Sequence, residues 1–515
     1  MSSLIDALRD PARYPHPVDT VEVIETHISW VLLAGKYAYK VKKPVRLPFL
    51  DFSTLAARRR FCQEELRLNR RTAPELYLEV VPIARTADGP TVGAAGEPVE
   101  YAVRMSRFAP EVLADAMARA GTLGPERVDA IAAALAAFHA AAPEAGIAGG
   151  FGTAERVATP AMGNFEQIAA LEAGRGEAAR LERLRAWTAH ECVRLEHVFE
   201  ARLYAGRVRE CHGDLHLGNI AFIGRRAVPF DCIEFDPALR WIDVMSEVAF
   251  LVMDLLAHGL EGLAWRALNA WLEASGDYDG VAVLRFYLVY RAMVRAKVAC
   301  LRGAAAEFQS YLALAESLTA ERPRAVVLMH GLSGSGKTTV SQAVLERLGA
   351  VRVRSDVERK RLHALQARAR SAADLDTGIY DPAASGRTYS RLAFLVRHVV
   401  KAGYSAVVDA AFLRRVERDR FLGVARELGA RLLIASCSAP PEVLRRRVAA
   451  RESAGTDASD AGAKVLASQL GTCEPLTGDE ELHAVTVETA DPVAMRDGIE
   501  TIEARLAQEY ALAMH

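Results

Sequence analysis

The first apolar pattern along the chain is strand-like. "VEVIE" (21–25) and "WVLLA" (30–34) flank the tight stretch Thr26–Ser29, and Gly35-Lys36 turns the chain into "YAYKVK" (37–42), where apolar and basic residues alternate. The period then changes: "TLAARRRFCQEELRLNRR" predicts a helix over about 54–71, ended by Pro74. "LYLEVVPI" and "EYAVRMSRF" predict two more strands joined by a polar, glycine-rich hairpin. From about residue 125 the spacing is helical, as in "ERVDAIAAALAAFHAA". The segment 205–250 interrupts it with loop, short strand, turn and short strand, and helices then continue to about Leu318. "TAERPR" (319–324) is polar and contains a proline, which places a domain boundary there. After it come apolar strands alternating with helices: "AVVLM", "VRVRS", "SAVVDA", "RLLIASC" and "HAVTVE". That alternation predicts a parallel α/β sheet.

At 515 residues the chain is too long for one core, so two or three domains are expected, and the polar linker divides it into 1–318 and 325–515. Net charge is −1, so no global field draws in nucleic acid. The seven cysteines form no CxxC pair, which argues against a zinc site or disulfide framework and fits a reducing cytoplasm. The N-terminal stretch has no apolar core and does not read as a signal peptide. Val244 to Leu272 is the most apolar long stretch, but Glu247, Asp254, His258 and Glu261 interrupt it, so buried helices and no membrane partner are expected.

Two stretches carry phosphate chemistry. In the second domain, Gly331, Leu332, Ser333, Gly334, Ser335, Gly336, Lys337, Thr338 and Thr339 follow an apolar strand and open a helix. The order GxxxxGK[ST] in that setting predicts a phosphate-cradling loop. Its backbone N–H groups and the helix N-terminus face phosphate oxygens, Lys337 neutralises β/γ oxygens, and Thr338 coordinates Mg²⁺. Asp356 leaves the next strand, where it is placed to take an acceptor proton, and Arg359 follows one turn later. Asp409 ends a third strand, a position for a metal or substrate contact, and Arg447 and Arg451 share one helix face.

Together these features resemble the kinase module of polynucleotide kinases, and the wider group of zeta toxins and antibiotic-phosphorylating P-loop kinases, over about 325–515. The resemblance implies Asp356 as general base, Arg359 on the acceptor, and Arg447 and Arg451 on the donor phosphates. It does not carry over an acceptor.

In the first domain, His212-Gly213-Asp214 is followed by Asn219, and Asp231 ends a short strand beyond a hairpin. In kinase chemistry the first aspartate handles the acceptor hydroxyl, and the asparagine and second aspartate hold Mg²⁺. This arrangement resembles aminoglycoside phosphotransferases and choline kinases over most of 20–318. The resemblance implies a bilobal protein-kinase-like fold with a lysine strand and a glutamate helix. Lys40 fills the first role, with Lys42 as a rival on the same face, and Glu65 is preferred to Glu64 for the second. "RMSRF" (104–108) falls where a hinge strand would meet adenine, and Asp243 resembles an aspartate that braces the catalytic loop. His139 reads as a packed helix residue. The chain departs from the pattern twice: the turn "THIS" has no glycine to cover phosphates, and "FDCIEFD" replaces DFG-like residues.

The expected protein is a cytoplasmic, Mg²⁺-dependent kinase with two nucleotide sites, using ATP or GTP to phosphorylate hydroxyl groups of small-molecule or nucleotide-like acceptors. One alternative makes the first domain a substrate-binding or regulatory module. Another makes the chain a 5′-end kinase of nucleic acid, which the neutral charge and the lack of interleaved aromatic and basic residues disfavour.

Overall fold

The computed structural model describes residues 2–47, 50–365, 381–454 and 462–513. By its internal contacts the chain forms two compact units, one of residues 1–167 with 189–254, the other of residues 168–188 with 255–515.

The first unit is built on a six-stranded antiparallel sheet. Its strands lie in the order Val21–Glu25, Ser29–Ala34, Tyr37–Lys42, Pro98–Ser106, Tyr77–Thr86, Gly89–Val92. Alternation along Tyr37–Lys42 sends Tyr39 and Val41 to one core, among Leu32, Ile83 and Val92. Lys40 and Lys42 point to the other face, toward the helix Leu55–Asn69. Thr54 caps that helix by accepting from the Ala57 N–H. The glycine-free turn closes on itself, with Thr26 Oγ1 donating to Ser29 O and accepting from the Ser29 N–H, each at 3.0 Å. Further on, Ile220–Ile223 and Arg226–Pro229 pair as a hairpin behind the catalytic-loop motif.

The second unit holds a five-stranded parallel sheet in the order Val351–Arg354, Ala406–Asp409, Ala325–His330, Arg431–Ser438, Ala484–Glu488. The central strand is buried along its whole length, as its unbroken apolar run requires of a strand covered on both faces. The helices Glu261–Ser275, Val281–Leu301 and Ala305–Thr319 belong to this unit as well. Among the described residues no helix is long and apolar enough to cross a membrane, and all seven cysteines are free.

Candidate active sites

In the second unit the central strand runs directly into the loop and the helix Lys337–Leu348 leaves it. Gly331 has φ +138°, and a Cβ there would lie 2.4 Å from Cys437 O, so no side chain fits this bend. Lys337 donates to Gly331 O and Leu332 O, both at 2.8 Å. Burial pushes its ammonium below the ordinary lysine range, against the pull of Asp409 and Asp356.

A cavity of about 310 Å³ opens over the loop. Lys337, Thr338, Asp356, Arg359, Asp409, Arg447 and Arg451, widely separated in sequence, all line it. The parallel sheet explains the convergence: Asp409 ends its strand, and Asp356 lies in the first turn of the helix Ser355–Leu362 that follows the strand Val351–Arg354, both beside the loop that ends the central strand. Asp409 is buried, with its Oδ2 3.3 Å from Ser341 Oγ and 3.5 Å from Arg354 Nε. Arg359 donates to Ser385 Oγ at 3.2 Å. Arg447 donates to Gly334 O (3.2 Å), Thr489 Oγ1 (2.8 Å) and Thr489 O (2.6 Å), so its guanidinium fastens the phosphate loop as well as facing the cavity. Thr338 and Asp409 offer the hard oxygen donors that a Mg²⁺ ion takes.

Ser355, Tyr389 and Gln469 also line the cavity, and sequence reasoning missed them. Gln469 Oε1 accepts from the Ser333 N–H at 2.8 Å. A lone glutamine in "LASQLG" carries no spacing signal; only the fold brings it to the loop.

In the first unit the catalytic-loop motif is held from behind. Gly213 has φ +92°, and a Cβ there would lie 2.7 Å from Leu239 O. His212 Nε2 donates to Phe230 O at 2.7 Å, and burial keeps the ring's pKa below its usual value, hence neutral. Asn219 donates to Asp214 O (2.9 Å) and Asp214 Oδ2 (3.2 Å). Phe230 N–H donates to Asn219 O at 2.9 Å, which brings Asp231 alongside Asn219 across the hairpin. Asp231 has φ +65°, rare for a residue with a side chain. Its N–H donates to Tyr77 Oη at 3.1 Å, and Cys232 N–H donates to Asn69 Oδ1 at 2.9 Å. Asn219 and Asp231 are again hard oxygen donors suited to Mg²⁺.

Both rival lysines meet the same glutamate. Lys40 Nζ lies 2.8 Å from Glu65 Oε1 and 2.5 Å from Asp231 Oδ1, and Lys42 Nζ lies 2.7 Å from Glu65 Oε2 and pairs with Glu234. Burial opposes the charge on Lys40, but Asp231 and Glu65 outweigh it and hold its pKa well above the usual lysine value. Burial likewise opposes the charge on Glu65, and the two lysines hold its pKa low. Glu64 faces elsewhere, to Arg67 and Arg240.

The expectation for Asp243 is corrected. Asp243 pairs with Arg202 (2.6 and 2.7 Å) and accepts from the Met245 N–H. The brace is Glu247: its Oε1 accepts from the N–H groups of His212 (2.6 Å) and Gly213 (2.7 Å), and its Oε2 pairs with His139 at 2.7 Å. Asp254 adds a bond to the Leu217 N–H at 2.9 Å. The available signal was a pair of carboxylates inside an apolar helix, which burial tolerates only with partners.

Comparison with known proteins agrees with this geometry. Residues 45–284 match the Phosphotransferase enzyme family, and residues 326–476 match an AAA domain. The uncharacterized proteins Rv2004c of Mycobacterium tuberculosis and Mb2027c of Mycobacterium bovis are each 30% identical over 474 residues, covering 88% of this chain and 91% of theirs. The chain belongs to their family. This chain joins a phosphotransferase-family domain to a P-loop kinase domain, and the two kinase-family domains mark it as a phosphotransferase. Among solved structures, a gluconokinase from Sinorhizobium meliloti 1021 aligns at 25% identity over 38% of this chain and 100% of its own, TM-score 0.27. A choline/ethanolamine kinase family protein from Mesorhizobium loti aligns at 12% identity over 62% of this chain and 93% of its own, TM-score 0.36.

Proposed function

We propose that the chain is a bifunctional kinase with two nucleotide sites, each passing the γ-phosphoryl group of ATP or GTP to a hydroxyl acceptor. The observation that carries this reading is the convergence of Lys337, Thr338, Asp356, Arg359, Asp409 and Arg451 on one cavity. In that site the loop N–H groups hold the donor phosphates, and Lys337 exchanges its carbonyl partners for β/γ oxygens. Asp356 takes the acceptor proton, Arg359 binds an anionic group of the acceptor, and Arg451 neutralises the transferred group while Arg447 keeps the loop in shape. In the other site Lys40, held by Glu65, meets the donor phosphates, and Asp214 orients the acceptor hydroxyl. Thr338 and Asp409 in one site, and Asn219 and Asp231 in the other, would hold Mg²⁺, which would supply charge neutralisation for the donor phosphates.

A second reading keeps the P-loop kinase and makes the first unit a binding or regulatory module. The glycine-free turn at Thr26–Ser29 favours it. Stoichiometry of Mg²⁺-ATP and Mg²⁺-GTP binding to the full chain separates the two readings. The bifunctional enzyme binds two equivalents, of which Lys337→Ala removes one and Asp231→Asn the other. One equivalent, lost in Lys337→Ala and untouched by Asp231→Asn, supports the second reading; none overturns both. Asp356→Asn is expected to leave binding intact and to lower phosphoryl transfer by about 10³-fold.

A further inference from the structure

The parallel sheet of the second unit ends on the strand Val351–Arg354, and side chains from upstream helices satisfy that open edge. Asn269 Nδ2 donates to Ala350 O (2.9 Å), and Asn269 Oδ1 accepts from the Arg352 N–H (2.6 Å). Tyr278 Oη donates to Arg352 O (3.2 Å). Both residues lie in the stretch matched to the phosphotransferase family, not in the one matched to the AAA domain.

The same helix, Glu261–Ser275, carries a charge toward the P-loop site. Glu273 Oε1 accepts from Arg352 Nη2 (2.6 Å) and Nε (2.9 Å). Glu273 Oε2 lies 3.5 Å from Arg354 Nη1, and Arg354 Nε lies 3.5 Å from Asp409 Oδ2. Arg354 is thus shared between two carboxylates, Glu273 on one side and the cavity-lining Asp409 on the other. Arg352 also reaches Ser341 Oγ (3.3 Å), which itself lies 3.3 Å from Asp409 Oδ2.

We infer that Glu273 is a positioning residue of the P-loop kinase: it draws Arg354 away from Asp409 and so leaves that carboxylate free to take a divalent cation. The inference rests on the reading of this loop as a Mg²⁺-nucleotide site. Its physical basis is competition. With the charge at 273 removed, the pull on Arg354 from that side is lost, while Asp409 Oδ2 still lies 3.5 Å from its Nε. The guanidinium closes on it, and a cation must displace a tighter, buried ion pair to bind. Residues of the phosphotransferase-family stretch therefore complete the chemistry of the second kinase as well as covering its sheet.

The test uses the full chain and a fluorescent ATP analogue, counting as P-loop binding the part that Lys337→Ala removes. In Glu273→Gln the Mg²⁺ concentration for half-maximal binding of the analogue is expected to rise about tenfold. Metal-free binding stays near wild type, and Glu273→Asp restores the Mg²⁺ response. Glu273→Gln/Arg354→Gln, which deletes the competing guanidinium, also returns it toward wild type, and this double variant decides the matter if the single one folds poorly. A merely structural role lowers the melting temperature and leaves the Mg²⁺ midpoint unmoved; that result overturns the inference and spares the nucleotide site. Absence of Lys337-dependent binding in the wild type overturns the nucleotide reading itself, and the inference with it.

Discussion

His330, the last residue before the phosphate loop, shows how a single side chain ties this site to pH. Its Nδ1 lies 3.0 Å from Ser436 Oγ, and the ring is buried. Burial, with Arg418 and Lys337 adding positive charge, lowers its pKa from 6.5 to about 4. Because the folded value lies below the unfolded one, the unfolded chain takes the proton first as pH falls. The stability is therefore full above pH 6.5 and is lost as pH drops through the window toward 4. Urea unfolding at about pH 7 and about pH 4.5 is expected to differ by on the order of 2 kcal/mol from this group, and His330→Gln should flatten that part of the profile. A profile unchanged in His330→Gln would assign the acid lability elsewhere. The position is not visible as a titrating site in the sequence, where His330 is one more residue at the end of an apolar run.

At the level of elements, the first unit turns on one strand and one helix. The period-2 pattern of "YAYKVK" put Lys40 and Lys42 on one face but gave no means of choosing between them. The structure answers with both: the helix Leu55–Asn69 brings Glu65 between them, and the segment after Asp231 brings Glu234 to Lys42. Lys42 is fully buried there beside Glu65 and Glu234, which are themselves 0% and 4% exposed. Lys42→Met would strand buried carboxylates with fewer counter-charges and is expected to cost about 3–5 kcal/mol in chemical denaturation. Lys40 is more open and touches Asp231, so Lys40→Met should fall chiefly on nucleotide binding. Equal stability losses in the two variants would contradict this division.

For the molecule as a whole, the second unit depends on residues far upstream of its phosphate loop. Trp265, on the helix Glu261–Ser275, is buried against Gly349, where a Cβ would lie 2.8 Å from its ring, and against Tyr404 at 5.8 Å between centroids. Trp265→Ala leaves a cavity under the phosphate-loop helix and is expected to destabilise this unit by about 3–5 kcal/mol. Differential scanning calorimetry checks it: the transition that Mg²⁺-ATP raises in the wild type, and does not raise in Lys337→Ala, should be the one that Trp265→Ala lowers. A loss confined to another transition would show that the tryptophan supports some other core.

Local spacing was enough to determine the phosphate loop, the alternation that makes the second sheet parallel, and the HGDxxxxN motif, because each needs particular residue types within a few positions of one another. It also marked Asp356, Arg359, Asp409 and Arg451, since strand ends and helix faces are periodic features. Tertiary structure alone decided that Glu247 and not Asp243 braces the catalytic loop, and that Gln469 sits on the phosphate loop. It alone decided, too, that helices preceding the polar linker complete the P-loop unit. These pairings join residues remote in sequence, and a lone carboxylate or amide carries no periodic signal. Its partner is chosen by the burial that surrounds it, because a charged or polar group away from water must find a counterpart wherever the fold supplies one.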